Sequence, residues 1–440
     1  MRMAEPLTLP CGQQLPNRLC KAAMTEGIAD DRLNATPRHA ELYGQWSDGG
    51  AGLLLTGNVM IDRRVLERPG NVAIDRSAPP DAEGMAALRR WAEAGTRGGN
   101  HLWMQISHAG RQSPRYVTSE PLAPSEVGLQ ILGNYARPRA LRDDEIRDFI
   151  ERFGYVAGIA KETGFTGVQI HAAHGYLLSS FLSPATNQRD DQWGGSLENR
   201  ARMLIESIRA VRRTVGPEFP ISVKLNSDDF RKGGFSHEDC LQVVQMLNDE
   251  GIDLLEVSGG TYEQPRLLGF DGREDSRDDS PMRESTRKRE AYFIDYAQSI
   301  RKVATMPMMV TGGFRSPDFV EEVLAAGHCD VIGIGRPMTT DMQLPARWLA
   351  GDSAEAIRHE GRLKLSDKRW LSGASPIYFI KILNVFGAQA WYYQQLQRIA
   401  GGRGVNMRLG LLGAFMRYFV DEISTAWRVH RSRRKAEKAA

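Results

Sequence analysis

Two imidazoles and a phenol stand close together in this chain: His171, His174 and Tyr176. They follow Val168–Ile170, a short apolar run of the kind that forms a buried strand. At i, i+3 and i+5, one tight turn after that strand aims all three at one small volume. Groups that titrate near neutral pH, set beside a phenol, suit proton or hydride chemistry on a small molecule. The same spacing also fits a hydrogen-bonded pair of loop histidines beside a packed tyrosine, and spacing alone leaves both readings open. A metal site is the weaker reading. Two histidines at i, i+3 hold zinc only with further ligands, and none is signalled nearby.

A second group of residues speaks for an anion. Thr311-Gly312-Gly313-Phe314-Arg315 and Gly333-Ile334-Gly335-Arg336-Pro337 each follow a short apolar run. Glycine-rich turns after the seventh and eighth strands of a barrel commonly cradle phosphate. There backbone N–H groups meet the anion, and Arg336 adds a fixed charge. The pattern predicts a phosphate-bearing cofactor; a pair of tight turns is the plainer alternative.

The elements that must position these residues are strands of about five apolar residues separated by longer helical stretches. Strands are predicted at Leu19–Ala23, Gly52–Thr56, His101–Ile106, Gly167–Ile170, Ile221–Leu225, Leu254–Val257, Met308–Val310 and Asp330–Ile334. Helices are predicted at Pro37–Gly49, Ala82–Gly98, Asp143–Thr163, Leu197–Val215, His237–Gly251, Tyr292–Val303 and Ser316–Ala326. Strands alternating with helices imply parallel β-α units and the α/β class. At 440 residues with a net charge of +3, the chain has room for one large barrel plus an extension and shows no global preference for polyanions such as nucleic acid. Cys11, Cys20, Cys240 and Cys329 are scattered, which suggests neither a metal motif nor a disulfide framework. With no apolar leader in Met1–Pro10, the expected setting is reducing and cytoplasmic.

The residues from His171 to Arg202 read His-Ala-Ala-His-Gly-Tyr, then Leu-Ser-Ser-Phe-Leu-Ser-Pro, Asn-Gln-Arg-Asp-Asp, Gly-Gly-Ser and Glu-Asn-Arg-Ala-Arg. This run resembles the signature of the Old Yellow Enzyme family of NADH:flavin oxidoreductases, and the likeness extends to about Leu365. The resemblance implies a (β/α)8 TIM barrel over residues 1–365 that binds FMN, with NADH or NADPH as electron donor. Residues 366–440 are left as a helical C-terminal extension.

The resemblance also distributes roles. Ala23 and Met24 would lie against the flavin ring, and the Thr25 hydroxyl would donate to the ring carbonyl beside the reactive nitrogen. Gly57 would let backbone approach the cofactor, and Gln105 would satisfy the pyrimidine edge. Lys224 would sit beside the negative charge of the reduced ring. Gly312, Gly313, Gly335 and Arg336 would hold the phosphate. His171 and His174 would bind an oxygen of a small electrophilic substrate, and Tyr176 would deliver a proton to its α-carbon. The implied reaction is ene-reduction: hydride from the flavin to an activated C=C bond, with ping-pong kinetics. Alternatives are nitro compounds, oxygen or N-methyl substrates on the same fold, or a flavin-free phosphate-binding lyase or aldolase using Lys224. Larger members carry an iron–sulfur cysteine cluster after the barrel; no cysteine follows Cys329 here.

Three stretches stand apart. His108 and Arg111 follow strand three, where Arg111 lines the pocket, meets a partner subunit of a homo-oligomer, or has a structural role, the last being favoured. Gln112–Arg142 is a long loop of lid type, and the charged excursion Glu263–Glu290 could cover the pocket. In the extension, Ile377–Ile399 and Val405–Val420 have helical apolar spacing. The basic end Arg428–Lys438 holds six Lys/Arg against one Glu. The apolar run Leu409–Met416 is too short to span a bilayer. Two uses are expected of it: packing on the barrel or a partner subunit, or a weak membrane-surface contact.

Overall fold

Eight short parallel strands close on themselves in this computed structural model, which describes residues 1–131, 133–259, 292–373 and 375–439. They are β1 (Leu19–Lys21), β2 (Leu53–Leu55), β3 (His101–Ser107), β4 (Gly167–Ala172), β5 (Ile221–Asn226), β6 (Leu254–Ser258), β7 (Met308–Thr311) and β8 (Val331–Ile334). Each pairs in parallel with the next, and β8 pairs back to β1. The helices α1 (Pro37–Ser47), α2 (Ala82–Thr96), α3 (Asp143–Glu162), α4 (Leu197–Val215), α5 (His237–Leu247), α6 (Tyr292–Arg301) and α7 (Pro317–Ala325) lie between them. The chain is a (β/α)8 barrel: the alternation predicted its parallel β-α units, and the resemblance implied their closure.

Local chemistry explains the helix ends. The side chains of Asp81, Ser196, Ser236 and Ser316 each accept a first-turn backbone N–H. Such caps satisfy donors that the helix leaves unpaired. Pro37 and Pro317 start α1 and α7, where a missing N–H costs nothing.

Alternation along the strands sorts the barrel interior into layers. At the bottom Cys20, Leu53, Leu55, Trp103, Leu254, Met309 and Val331 pack together, plugged by Leu9 and Leu15 of a small N-terminal hairpin. Gly167 faces the Trp103 indole; a Cβ there would lie 2.4 Å from the ring, so only glycine admits the tryptophan. Two residues further up each strand the inward positions turn polar: Gln105, Gln169, Lys224 and Glu256. Another step up lie His171, Asn226 and Ser258, at the carboxyl ends of the strands.

The extension forms α8 (Tyr378–Ala400) and α9 (Leu411–Ala439). Helix α9 starts later than the predicted Val405 and runs on through the basic end. Gly401, Gly402, Gly404 and Gly410 separate the two helices, while Ala426 and Val429 continue the buried face beyond residue 420. Leu396, Ile399, Ala400 and Val429 join the main core. The Arg68 guanidinium, from the loop after β2, lies 2.7 Å from the Glu422 carboxylate, both side chains buried. It also stacks 4.2 Å above the Tyr393 ring. The described residues of 112–142 form a flap with one short parallel pair, Leu122–Ala123 with Arg139–Ala140. Most of the Glu263–Glu290 excursion's flanks, and all of the excursion itself, fall outside the described residues.

Candidate active site

His171 is the inward residue two places beyond Gln169, one residue before β4 ends. The chain then turns sharply, because His174 (φ 63°) and Gly175 (φ 82°) both take left-handed backbone conformations. A non-glycine residue there is uncommon. The turn is held on both sides: the Asn226 side chain accepts the His174 N–H at 3.1 Å, and Gln112 donates to the His174 carbonyl at 2.6 Å. The result is a tight aromatic group. The His171 and His174 ring centroids are 5.2 Å apart, and the Tyr176 ring meets His171 edge-on at 4.7 Å. The three residues singled out in the sequence are thus brought together at the mouth of the barrel.

Hydrogen bonding fixes how the imidazoles are used. His171 Nδ1 accepts the Ala173 N–H at 3.2 Å, which leaves its proton on Nε2. His174 Nε2 lies 2.7 Å from the Ser258 hydroxyl. Burial holds both imidazoles well below the ordinary value of 6.5; His174 and the Lys224 cation push His171 further down, and Lys224 does the same for His174. Both rings are therefore neutral at physiological pH, and His171 keeps an N–H to offer.

Beneath them a polar chain crosses the barrel. Gln105 donates to Gln169 at 2.7 Å, Gln169 donates to Glu256 at 2.8 Å, and Lys224 Nζ stands 2.9 Å from the other Glu256 oxygen. Register explains the contact: Lys224 is paired with His171 on one side and Glu256 on the other. Lys224 is a buried cation rather than a solvated strand-end lysine.

The end of β1 brings a difference. Ala23 and Met24 lie half-buried along the mouth. The Thr25 hydroxyl donates to the Glu67 carboxylate at 2.7 Å, and Asn58 donates to the same oxygen at 2.7 Å. A hydroxyl has one proton. Donation from Thr25 to a ligand carbonyl would first require this bond to break; as placed, it offers a ligand only a lone pair. Gly57 differs too. A Cβ there would lie 2.4 Å from Glu26 Oε2 and 2.6 Å from the Met24 carbonyl, so the glycine serves close packing of the β1 and β2 ends on one another.

The glycine turns after β7 and β8 have the features of an anion cradle. Gly312 (φ 130°) and Gly313 (φ 83°) hold conformations that favour glycine. The N–H groups of Gly312, Gly313 and Gly335 meet no hydrogen-bond acceptor among the described residues. The buried Thr311 hydroxyl has no partner among them either. A Cβ on Gly335 would meet nothing within 4 Å. Two guanidiniums complete the corner: Arg315 and Arg336 each lie 2.9 Å from the Glu360 carboxylate. Burial pushes the Glu360 carboxyl up, but the two arginines outweigh it and hold it below the usual carboxylate range. The three unpartnered glycine N–H groups fit a phosphate group, which would share Arg336 with the Glu360 carboxylate.

Two neighbours are structural. Gly110 N–H donates to His108 Nδ1 at 3.0 Å, and His108 Nε2 faces the buried Asp62 carboxylate at 3.8 Å. Arg111 is buried under the flap and directs Nη1 to the Gly128 carbonyl at 3.5 Å, so it presents no surface to a partner. Among the described residues no three His, Cys, Asp or Glu side chains gather to hold a metal.

Fold and site together define a barrel whose mouth carries two neutral imidazoles, a phenol and a buried ammonium, with unpartnered glycine N–H groups in the turns after β7 and β8. The sequence model of the NADH:flavin oxidoreductase / NADH oxidase family matches residues 3–353, and the chain belongs to that family. It is 33% identical over 421 residues to NADH-dependent flavin oxidoreductase iccE of Talaromyces variabilis, covering 91% of this chain and 98% of that protein. It is 36% identical over 361 residues to NADH-dependent flavin oxidoreductase iliE of Neonectria sp. (strain DH2), covering 78% of this chain but only 46% of that relative, about half its length. The solved old yellow enzyme homologue from Zymomonas mobilis superposes with a TM-score of 0.65 at 26% identity, over 81% of this chain and 95% of that one.

Proposed function

We propose that this chain is an FMN-dependent NAD(P)H oxidoreductase that reduces an activated C=C bond of a small electrophile. The observation that carries the reading is the joint placement of neutral His171, neutral His174 and Tyr176 at the carboxyl ends of the strands. Bound FMN would supply the hydride, having taken it from NADH or NADPH. Ala23, Met24, Gln105 and Lys224 would flank its ring, and Gly312, Gly313, Gly335 and Arg336 would hold its phosphate.

The chain's own residues have defined tasks. The Nε2–H of His171 binds a carbonyl or nitro oxygen of the substrate and draws electrons from the conjugated bond. His174 binds the same oxygen in place of the Ser258 hydroxyl, exchanging one oxygen partner for another. Because both rings are neutral, they polarise the substrate without adding a charge that would repel Lys224. The Tyr176 hydroxyl gives its proton to the α-carbon. The polar chain from Gln105 to Lys224 fixes the floor on which this takes place.

The test is spectroscopic. The purified protein is expected to be yellow, to bleach with NADH or NADPH without oxygen, and to regain its colour on adding an enone. A colourless protein that releases no flavin on denaturation overturns the reading.

A further inference from the structure

Helix α9 presents two unlike faces. Leu411, Ala414, Glu422, Ala426 and Val429 are buried against the rest of the protein. Leu412, Met416, Phe419, Val420, Ile423 and Trp427 are 44% to 62% exposed. At the α-helical period these six positions fall in one sector of about 100°, beside the buried face rather than opposite it. Single exposed apolar residues are ordinary, but a continuous stripe of this kind marks an interaction surface.

The far edge of the stripe is basic. Arg417, Arg428, Arg431 and Lys435 are exposed along it, and the Arg431 guanidinium lies 5.3 Å from the Trp427 ring. The acids of the helix's middle turn are directed elsewhere: Asp421 accepts from Gln394 at 3.0 Å, and Glu422 is buried with Arg68. An apolar stripe with a cationic rim complements a surface that is apolar inside and anionic at its edge. A second copy of the chain pairing through this stripe would bring two cationic rims together, which opposes that arrangement. No helix among the described residues is long and apolar enough to cross a membrane.

We propose that α9 is a membrane-docking helix, lying in the surface plane of an anionic bilayer. The apolar stripe enters the acyl boundary, and the basic rim meets lipid phosphates. Helix α9 also touches the flap, where His430 meets the Tyr116 carbonyl at 3.0 Å.

The test is flotation of the full chain with vesicles of phosphatidylcholine alone and of phosphatidylcholine with one third phosphatidylglycerol. The parent chain is expected to float with the anionic vesicles, with a blue shift of tryptophan emission. Phe419→Glu with Trp427→Glu, both at exposed positions, is expected to abolish flotation while far-ultraviolet circular dichroism and the melting midpoint stay unchanged. Arg428→Glu with Arg431→Glu is expected to lower the apparent affinity at least tenfold, and added salt should do the same. Failure of the parent chain to float with either vesicle overturns the proposal, as does flotation that survives the stripe substitutions. A dimer in sedimentation that Trp427→Glu disperses, with no vesicle binding, assigns the stripe to a second copy and overturns it as well.

Discussion

Glu256 is the residue whose loss should be felt most widely in the barrel. Its carboxylate lies 2.9 Å from Lys224 Nζ, with the two side chains 0% and 5% exposed, and its second oxygen accepts from Gln169 at 2.8 Å. Glu256→Leu leaves a buried ammonium without a counter-charge, which costs about 3–5 kcal/mol, and an amide without its acceptor, which adds about 1 kcal/mol. Against a total stability of roughly 5–15 kcal/mol this is about a quarter or more. Lys224→Met with Glu256→Leu removes both charges and leaves Gln169 only its bond to the Ser222 hydroxyl at 3.1 Å, one N–H without an acceptor, so about 1–2 kcal/mol should be lost. Urea unfolding of the FMN-free chains, followed by circular dichroism so that ligand linkage does not enter, measures both. At a slope of roughly 3 kcal/mol per molar, the single substitution should lower the midpoint by more than about 1 M, and the double by about half that or less. A Glu256→Leu midpoint within about 0.3 M of the parent would refute the ion-pair argument. So would a double variant as unstable as the two singles summed.

Two further outcomes separate cofactor binding from folding. A Cβ at Gly335 meets no protein atom, so Gly335→Ala should melt like the parent yet bind FMN at least about tenfold more weakly if the cradle holds phosphate; Gly57→Ala, which meets Glu26 and the Met24 carbonyl, should instead lose about 2 kcal/mol of stability. For pH, His171 and His174 are held below 6.5 in the folded state, so only the unfolded chain takes up protons as pH falls through that value. Their contribution is complete above about pH 6.5 and shrinks below it, by up to about 1.4 kcal/mol per pH unit for each ring. Urea midpoints between about pH 8 and pH 5 should therefore fall less steeply in a His171→Asn, His174→Asn variant, and equal slopes would contradict the assignment.

Much of the site was legible in the chain because it lies on short, strongly patterned segments. The strand before His171 and the glycines after β7 and β8 carry local signals that need no partner to be read. Gln169, Asn226, Glu256 and Ser258 were legible in principle and passed over. Gln169 stands two residues from His171, Asn226 two from Lys224, and Glu256 and Ser258 two and four from Leu254, so alternation puts each on the inward face. Glu67 and Glu360 had no such signal. Each enters the site from a loop, and its role depends on contacts with Thr25, or with Arg315 and Arg336, that only the closed barrel creates. The same holds for α9, whose start was misjudged by six residues: Leu411 begins the helix only after four spaced glycines, and its buried face is set by a barrel loop some 350 positions earlier in the chain.

The central claim is that Tyr176 protonates a substrate polarised by His171 and His174. Stopped-flow measurement of the two half-reactions of Tyr176→Phe tests it most directly. Bleaching by NADH should proceed as in the parent, while recolouring by an enone should slow by about 10²-fold or more. Recolouring at the parental rate would contradict the account.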